Sequence, residues 1–299
     1  MSIEEQIGIS TISLPAINTE EAIDAVAEAG FKAIELILSI GNQCAIGYPD
    51  RVSPSPGIWP RTCSKERRKK IKEKLKPFLY VTTHVQLEGT NIASPNPGIR
   101  EETVKQYIEC IEFTHDIGVS MVTFHPRGGC RHSQYEHMYK EDGDRYNLDF
   151  AKKALKYAHK YDLQMGYEGT HGAGWPVRDL ILKIKDKRFG ILIDPTQSCL
   201  RSVPVSYLIE SIRKCKGRIC EIHVHGALCR TINITSHLPL RLNNIVDWKQ
   251  VLSVLTDVNF KGPFMFEITS SEDYRTVIKD CQESKDLLIK WQREIDGKR

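Results

Sequence analysis

Six apolar runs in this chain end in a residue able to ligate a metal ion or carry a proton: Thr83-His84, Phe124-His125, Tyr167-Glu168, Ile193-Asp194, His223-Val224-His225 and Phe266-Glu267. Histidine, aspartate and glutamate are rarely buried without a partner, so six such endings are hard to attribute to core packing. Singly, each has an ordinary explanation. A lone histidine at the end of an apolar run is more often a hydrogen-bonded structural residue than a ligand. An Asp before a Pro, as at Asp194-Pro195, is more often a turn or a helix cap. Glu35, inside another apolar run, can pair with a Lys or Arg as readily as touch a substrate. Clustering is what points to a divalent-metal site.

Elements that would bring these residues together follow from alternation along the chain. Eight short apolar runs read as strands: Ile7–Leu14, Ala33–Leu38, Leu79–Val85, Met121–His125, Gln164–Glu168, Gly190–Asp194, Ile219–His225 and Phe264–Ile268. Most are near-continuously apolar, as parallel strands covered on both faces should be. Longer amphipathic segments separate them. Asn18 with Glu21 forms a capping box for a helix reaching Ala29, and Gly30 stands where a C-terminal glycine belongs. Ser64–Lys76, Glu101–Ile117 (closing on Gly118), Asn147–Tyr161, Pro176–Ile184, Val205–Cys215, Asp247–Val258 and Asp273–Glu294 complete the set.

Eight βα units in 299 residues favour a closed (β/α)8 barrel, the TIM-barrel architecture of the α/β class, with residues 1–299 as one domain. An open doubly wound sheet is the alternative, but no glycine-rich phosphate fingerprint follows the first strand. In a barrel, catalytic groups belong at the C-terminal ends of the strands. Three long connections, Ser39–Cys63, Arg127–Tyr146 and Gly226–Val246, all follow strands and would therefore lie over that face. Trp59 and Trp175 either wall the pocket or pack between helices.

Composition excludes some function classes. Hydrophobic residues at 40% and charged residues at 27% fit an ordinary soluble globular protein. No apolar stretch reaches the roughly 18–20 residues of a membrane helix, and MSIEEQIGIS lacks the basic and apolar regions of a signal peptide. Nine scattered cysteines without a CxxC pair read as reduced thiols, which places the chain in the cytoplasm. The net charge of +4 is weak. Its main basic cluster, Lys65–Lys76, reads as a solvated helix face, so charge does not call for nucleic acid.

The order Glu168, Asp194, His225, Glu267 on successive strands resembles the xylose isomerase-like barrels. These are the sugar and sugar-phosphate isomerases and epimerases with their endonuclease-IV-like relatives (the AP endonuclease family 2 superfamily). The resemblance spans nearly the whole chain. It is carried by the order of THVQLEGTNIASPNPGIREETVKQYIECIEFTHDIGVSMVTFHPRGG, LQMGYEGT, GILIDPTQS, EIHVHGA and GPFMFEI, with HLPLRLNNIVDWKQVL before the seventh helix. It implies a divalent ion held by Glu168, Asp194, His225 and Glu267. Three carboxylates and one imidazole suit Mn2+, Mg2+ or Co2+ better than a structural zinc, and Zn2+ stays open. Of the two histidines in HVH, both facing the interior by strand parity, His225 matches the family ligand and His223 would support it.

The resemblance further implies proton transfer beside a carbonyl, through a metal-stabilised enediolate, on a small sugar or polyol. Glu168 and Glu267 would be the catalytic acid and base. His84, His125, Gln197, His223 and Arg230 would contact substrate; Arg230 is equally well read as a solvated loop residue. One departure matters. Many relatives carry a histidine three residues after the strand-six aspartate, where this chain has Gln197, a poor metal ligand and no base near neutral pH. The stretch Leu228–Leu240 holds His237 but no aspartate. A three-metal endonuclease centre is therefore incomplete, while His84, His125 and Glu168 leave a two-metal centre open. A lyase acting on an inosose or dehydroshikimate-like compound is the close alternative. A non-catalytic binding barrel is the alternative of another class, and a homo-oligomer stays open.

Overall fold

The computed structural model describes residues 2–40, 43–44, 53–87, 89–126, 140–169, 177–200, 203–230 and 233–298. Eight parallel strands close into a barrel: β1 Ile7–Ser10, β2 Ala33–Leu38, β3 Tyr80–Val85, β4 Met121–Phe124, β5 Gln164–Glu168, β6 Phe189–Ile193, β7 Ile219–Val224 and β8 Phe264–Phe266. Around the barrel each strand pairs with its neighbours in sequence, and β8 closes on β1. All eight coincide with the expected runs. The first is shorter than its apolar stretch, because Thr11–Ser13 turns into a 3-10 helix. There the side chains are claimed by neighbouring strands: Thr11 Oγ1 accepts from the Ile37 amide, and Ser13 Oγ donates to the Phe266 carbonyl.

Helices α1 Thr19–Glu28, α2 Lys65–Lys74, α3 Pro97–Asp116, α4 Lys140–Tyr161, α5 Val177–Lys183, α6 Val205–Lys214, α7 Trp248–Asp257 and α8 Tyr274–Asp296 surround the barrel. Asn18 Oδ1 accepts from the Glu21 amide at 2.9 Å while the Glu21 carboxylate accepts from the Asn18 amide at 3.1 Å, the reciprocal box the sequence predicts. Gly30 and Gly118 adopt φ of 81° and 79°, the left-handed turn that ends α1 and α3. α3 starts four residues before its expected Glu101, because Asn96 caps it and Pro97 fits the first turn. The basic face of α2 is partly paired and not simply solvated: Arg67 meets Glu20 of α1 at 2.9 Å, and Arg68 meets Asp116 of α3 at 2.6 Å. Among the described residues, no helix is long and apolar enough to cross a membrane.

Strand parity divides the side chains between two environments. Ile7, Ile9, Ile34, Leu36, Leu38, Val122, Phe124, Met165, Tyr167, Ile222, Val224, Phe264 and Phe266 point outward into the buried layer beneath the helices. Each such side chain contributes roughly 1.5–3 kcal/mol by leaving water. The inner face takes the polar residues. Backbone approach there is close: a Cβ on Gly190 would lie 2.0 Å from the Arg218 carbonyl oxygen. Gly190→Ala is expected to force the β6–β7 wall apart at a cost of about 1–3 kcal/mol or more. Thermal unfolding should show a melting temperature lowered by several degrees, and an unchanged one would contradict the packing described.

Some elements were not legible as such. The stretch after β7 forms an antiparallel hairpin, Gly226–Arg230 with Asn233–Leu238. A short helix, Pro195–Leu200, follows β6 directly. Of the Arg127–Tyr146 connection, residues 140–146 begin α4 and the rest lies outside the described residues, as do Trp175 and part of Ser39–Cys63.

Candidate metal centre

The strand ends converge as the sequence predicts. His84 continues the inner face of β3, His125 and Asp194 follow β4 and β6 directly, Glu168 ends β5, His225 follows β7, and Glu267 follows β8. All are buried; His84, Asp194, His223 and His225 have no exposed surface, and Glu168 and Glu267 are only 4% and 5% exposed.

Three contacts tie the β3–β5 side together. His125 Nδ1 lies 2.8 Å from Glu168 Oε2, His84 Nε2 lies 3.4 Å from the same oxygen, and the two Nε2 atoms face each other at 3.0 Å. Thr123 Oγ1, 2.6 Å from His84 Nδ1, fixes the ring from behind. On the β6–β8 side, His225 Nε2 lies 3.0 Å from Asp194 Oδ2. Asp194 also accepts from the Gln197 amide at 2.8 Å through Oδ1, capping the short helix. Thr196 Oγ1 donates to the His225 carbonyl at 2.6 Å, locking that helix to the end of β7.

These pairs are electrostatically committed. Burial pushes the Asp194 carboxyl up, but the His225 imidazole outweighs it and holds the group below its usual range. Burial pulls His225 down, and the Asp194 charge lifts it above its ordinary value. Such mixed imidazole and carboxylate sets, with ligating atoms within 4.8 Å of one another, recur as His84/His125/Glu168, Glu168/Asp194/His223 and His225/His237/Glu267. Each of the four residues expected to ligate the ion therefore sits in at least one of them. A fourth set, Glu35/His223/Glu267, adjoins them, so Glu168, Glu267 and His223 each belong to two. The donor chemistry fits a divalent cation.

His237 was not singled out as a site residue, yet it lies in the centre of this arrangement. Its ring stacks on His225 with centroids 4.0 Å apart. Its Nδ1 is 2.9 Å from the Glu267 carbonyl, so that nitrogen carries the proton, and its backbone amide donates to His225 Nδ1 at 3.1 Å. Gln197 Nε2 then donates to His237 Nε2 at 2.9 Å. Burial and the neighbouring His225 charge push the His237 pKa down to about 3, so the ring stays neutral. Its backbone is left-handed, φ 57°, a consequence of the hairpin that sequence periodicity does not signal.

Gln197, expected to touch substrate, is thus already engaged by His237. His223 lies behind Glu267, with Nδ1 3.4 Å from its Oε2. Arg230 ends the first hairpin strand; its side chain lies outside the described residues. A cavity of about 370 Å3 at the opposite end of the barrel, against Gln6, Leu255, Asn259, Phe260 and Gln292, has no His or Cys in its lining.

Comparison with known proteins agrees with this architecture. Residues 23–291 match the family described as xylose isomerase-like TIM barrel. A D-tagatose 3-epimerase-like protein of known structure superposes with a TM-score of 0.75 at 18% identity, covering 98% of this chain and 99% of the other. The IOLI protein, solved with a binding zinc atom, gives 0.72 at 13% identity, covering 95% and 98%. A probable endonuclease 4 of Aquifex aeolicus is 36% identical over 75 residues, 25% of this chain and 26% of that one. With a match that runs through most of the barrel and a closed ring of eight parallel strands, the chain belongs to the xylose isomerase-like TIM barrel family.

Proposed function

We propose that this protein is a divalent-metal-dependent isomerase or epimerase of a sugar or sugar phosphate. The observation that carries the reading is the pair Glu168 and Glu267: two buried carboxylates, three strands apart around one barrel mouth, flanking Asp194 and His225. These four residues would hold the ion, and their donor set fits Mn2+, Mg2+ or Co2+, with Zn2+ also compatible. When bound, the ion supplies positive charge that stabilises the oxyanion developing beside the carbon being deprotonated.

The remaining work falls to the chain's own groups. One of Glu168 and Glu267 removes the proton and the other returns one. Glu168 is held from the side by His84 and His125, which keeps its carboxylate from rotating freely. Gln197, oriented by His237, presents an amide to a substrate hydroxyl. Arg230 is assigned to a hydroxyl or phosphate of the substrate. The mouth is lined by groups of the protein with little exposed surface, so water competes poorly for the reacting carbon.

A second reading, a two-metal phosphoester hydrolase, is favoured by the compact His84–His125–Glu168 cluster and by the stretch shared with the probable endonuclease 4. Metal analysis of the purified protein, with an activity screen over ketoses, their phosphates, inososes and abasic DNA, separates the two. The expected result is bound divalent ion and interconversion of ketose epimers or isomers. DNA cleavage with two ions per chain would install the second reading. Absence of both ion and turnover would remove both.

A further inference from the structure

Beneath the strand ends, the barrel interior holds a second polar layer, which meets the centre above at His223. Glu35 of β2, Thr82 of β3 and Glu221 and His223 of β7 are buried, with Glu35, Glu221 and His223 at 0% exposure. Register places them side by side: Ser10 pairs with Glu35, and Glu35 with Thr82. Thr82 Oγ1 donates to Glu221 Oε1 across the barrel at 3.2 Å. Glu35 pairs with His223 and not with the Lys or Arg that its sequence position allows.

The imidazole of His223 stands between two carboxylates. Its Nε2 lies 3.2 Å from Glu35 Oε2, and its Nδ1 lies 3.4 Å from Glu267 Oε2. The ring of His84 meets it edge-on with centroids 5.4 Å apart, which fixes its plane. Although Glu35, His223 and Glu267 could be read as a cation site, the two ring nitrogens point away from each other. In this structure each nitrogen faces a different carboxylate. The trio is thus bridged by the imidazole.

Burying such a set is costly unless it serves a purpose that an apolar core would not. Burial pushes Glu35 up, and His223 with His84 more than offsets that. Glu221, by contrast, is raised well above the carboxylate range by burial and by the Glu35 charge. It stays protonated and leaves Glu35 as the charged member. Among the described residues, the ion pair of Glu35 is with His223, and Ser10 and His84 add to holding its charge.

We propose that Glu35 is a positioning residue that acts through His223 on Glu267, fixing one oxygen of that carboxylate so that the other faces the metal centre. This rests on the reading of Glu267 as a ligand and proton carrier. The physical precedent is general: a carboxylate that orients an imidazole behind a metal ligand sets that ligand's geometry, and its loss typically costs 10–100-fold in metal affinity. The same bridge explains why a glutamate lies in β2, one of the most apolar strands of the barrel.

The test is a double-mutant cycle read by calorimetric Mn2+ titration of the full chain, with thermal unfolding recorded in parallel. Glu35→Gln keeps the volume and a hydrogen bond, and is expected to weaken Mn2+ binding about 10-fold. His223→Gln should do the same, and the double variant should lose no more than either single one. A filling role alone would lower the melting temperature and leave Mn2+ affinity untouched, which overturns the proposal. Losses that multiply to about 100-fold in the double variant also overturn it, because Glu35 would then act by a route other than His223. If Glu35→Gln does not fold, Glu35→Asp, which retains the charge on a shorter arm, takes its place with the same expectation. A wild type that takes up no Mn2+ overturns the reading of the centre and the proposal with it; a wild type that binds, with unchanged variants, overturns the proposal alone.

Discussion

Glu168→Gln is expected to lower turnover of the ketose substrate by about 10^2–10^4-fold, the range that a positioned acid or base contributes, with the fold intact. Three features set the size. Glu168 is shared by two of the imidazole and carboxylate clusters, so it would ligate the ion as well as carry a proton. His125 Nδ1 at 2.8 Å and His84 Nε2 at 3.4 Å converge on its Oε2 and hold the carboxylate in place. Glutamine preserves volume and can still accept a hydrogen bond, so the change removes charge and basicity with little disturbance of packing. Glu267→Gln should fall in the same range. Metal content measured beside turnover divides the loss: a variant that still binds Mn2+ but does not turn over has lost the proton carrier alone. Turnover within a factor of ten of wild type in both variants would contradict the assignment.

Asp194→Ala is expected to be the most damaging single change to stability. The carboxylate has no exposed surface. It accepts from His225 Nε2 and from the Gln197 amide, so alanine strips a partner from a buried imidazole and a cap from the Pro195–Leu200 helix. Breaking a buried pair by removing one member costs roughly 3–5 kcal/mol, and a lost cap about 1 kcal/mol more. For a chain of this length that is a melting temperature lower by about 5–15 °C.

The effect should depend on pH in a definite sense. Asp194 is held below its ordinary 3.8, so its contribution is present above that pH and is lost as pH falls through the lowered value. His225 is held above its ordinary 6.5, so its contribution is complete below that pH and is lost as pH rises through the raised value. In chelator-treated protein, the gap between wild type and Asp194→Ala should therefore be widest between about pH 4 and 6.5. Denaturant unfolding across that range checks it, and a gap that widens steadily toward pH 9 would show that the pair is not coupled as described.

Much of the barrel was legible because parallel strands buried on both faces must be apolar, and a polar residue ending such a run has few reasons to be there. Phe189–Ile193 followed by Asp194, and Gln164–Glu168 after its apolar run, are read directly from composition and order. The helices were legible where caps are local, as with Asn18 and Glu21. What could not be read depends on contacts between distant segments. The hairpin Gly226–Arg230 with Asn233–Leu238 lacks clean alternation, and its bulge near Gly226 turns His237 onto His225. No local signal announces that stacking. Glu35 likewise revealed that it would be buried, but its partner His223 lies 188 residues away, and only closure of the barrel brings them together.

The central claim is that Glu168, Asp194, His225 and Glu267 share one divalent ion at the C-terminal mouth. Anomalous diffraction from crystals soaked in Mn2+ addresses it most directly. The account predicts a strong peak with one donor atom from each of the four side chains at about 2.0–2.3 Å. No peak, or one confined to the His84–His125–Glu168 cluster with Asp194 and His225 still bonded to each other, would contradict it.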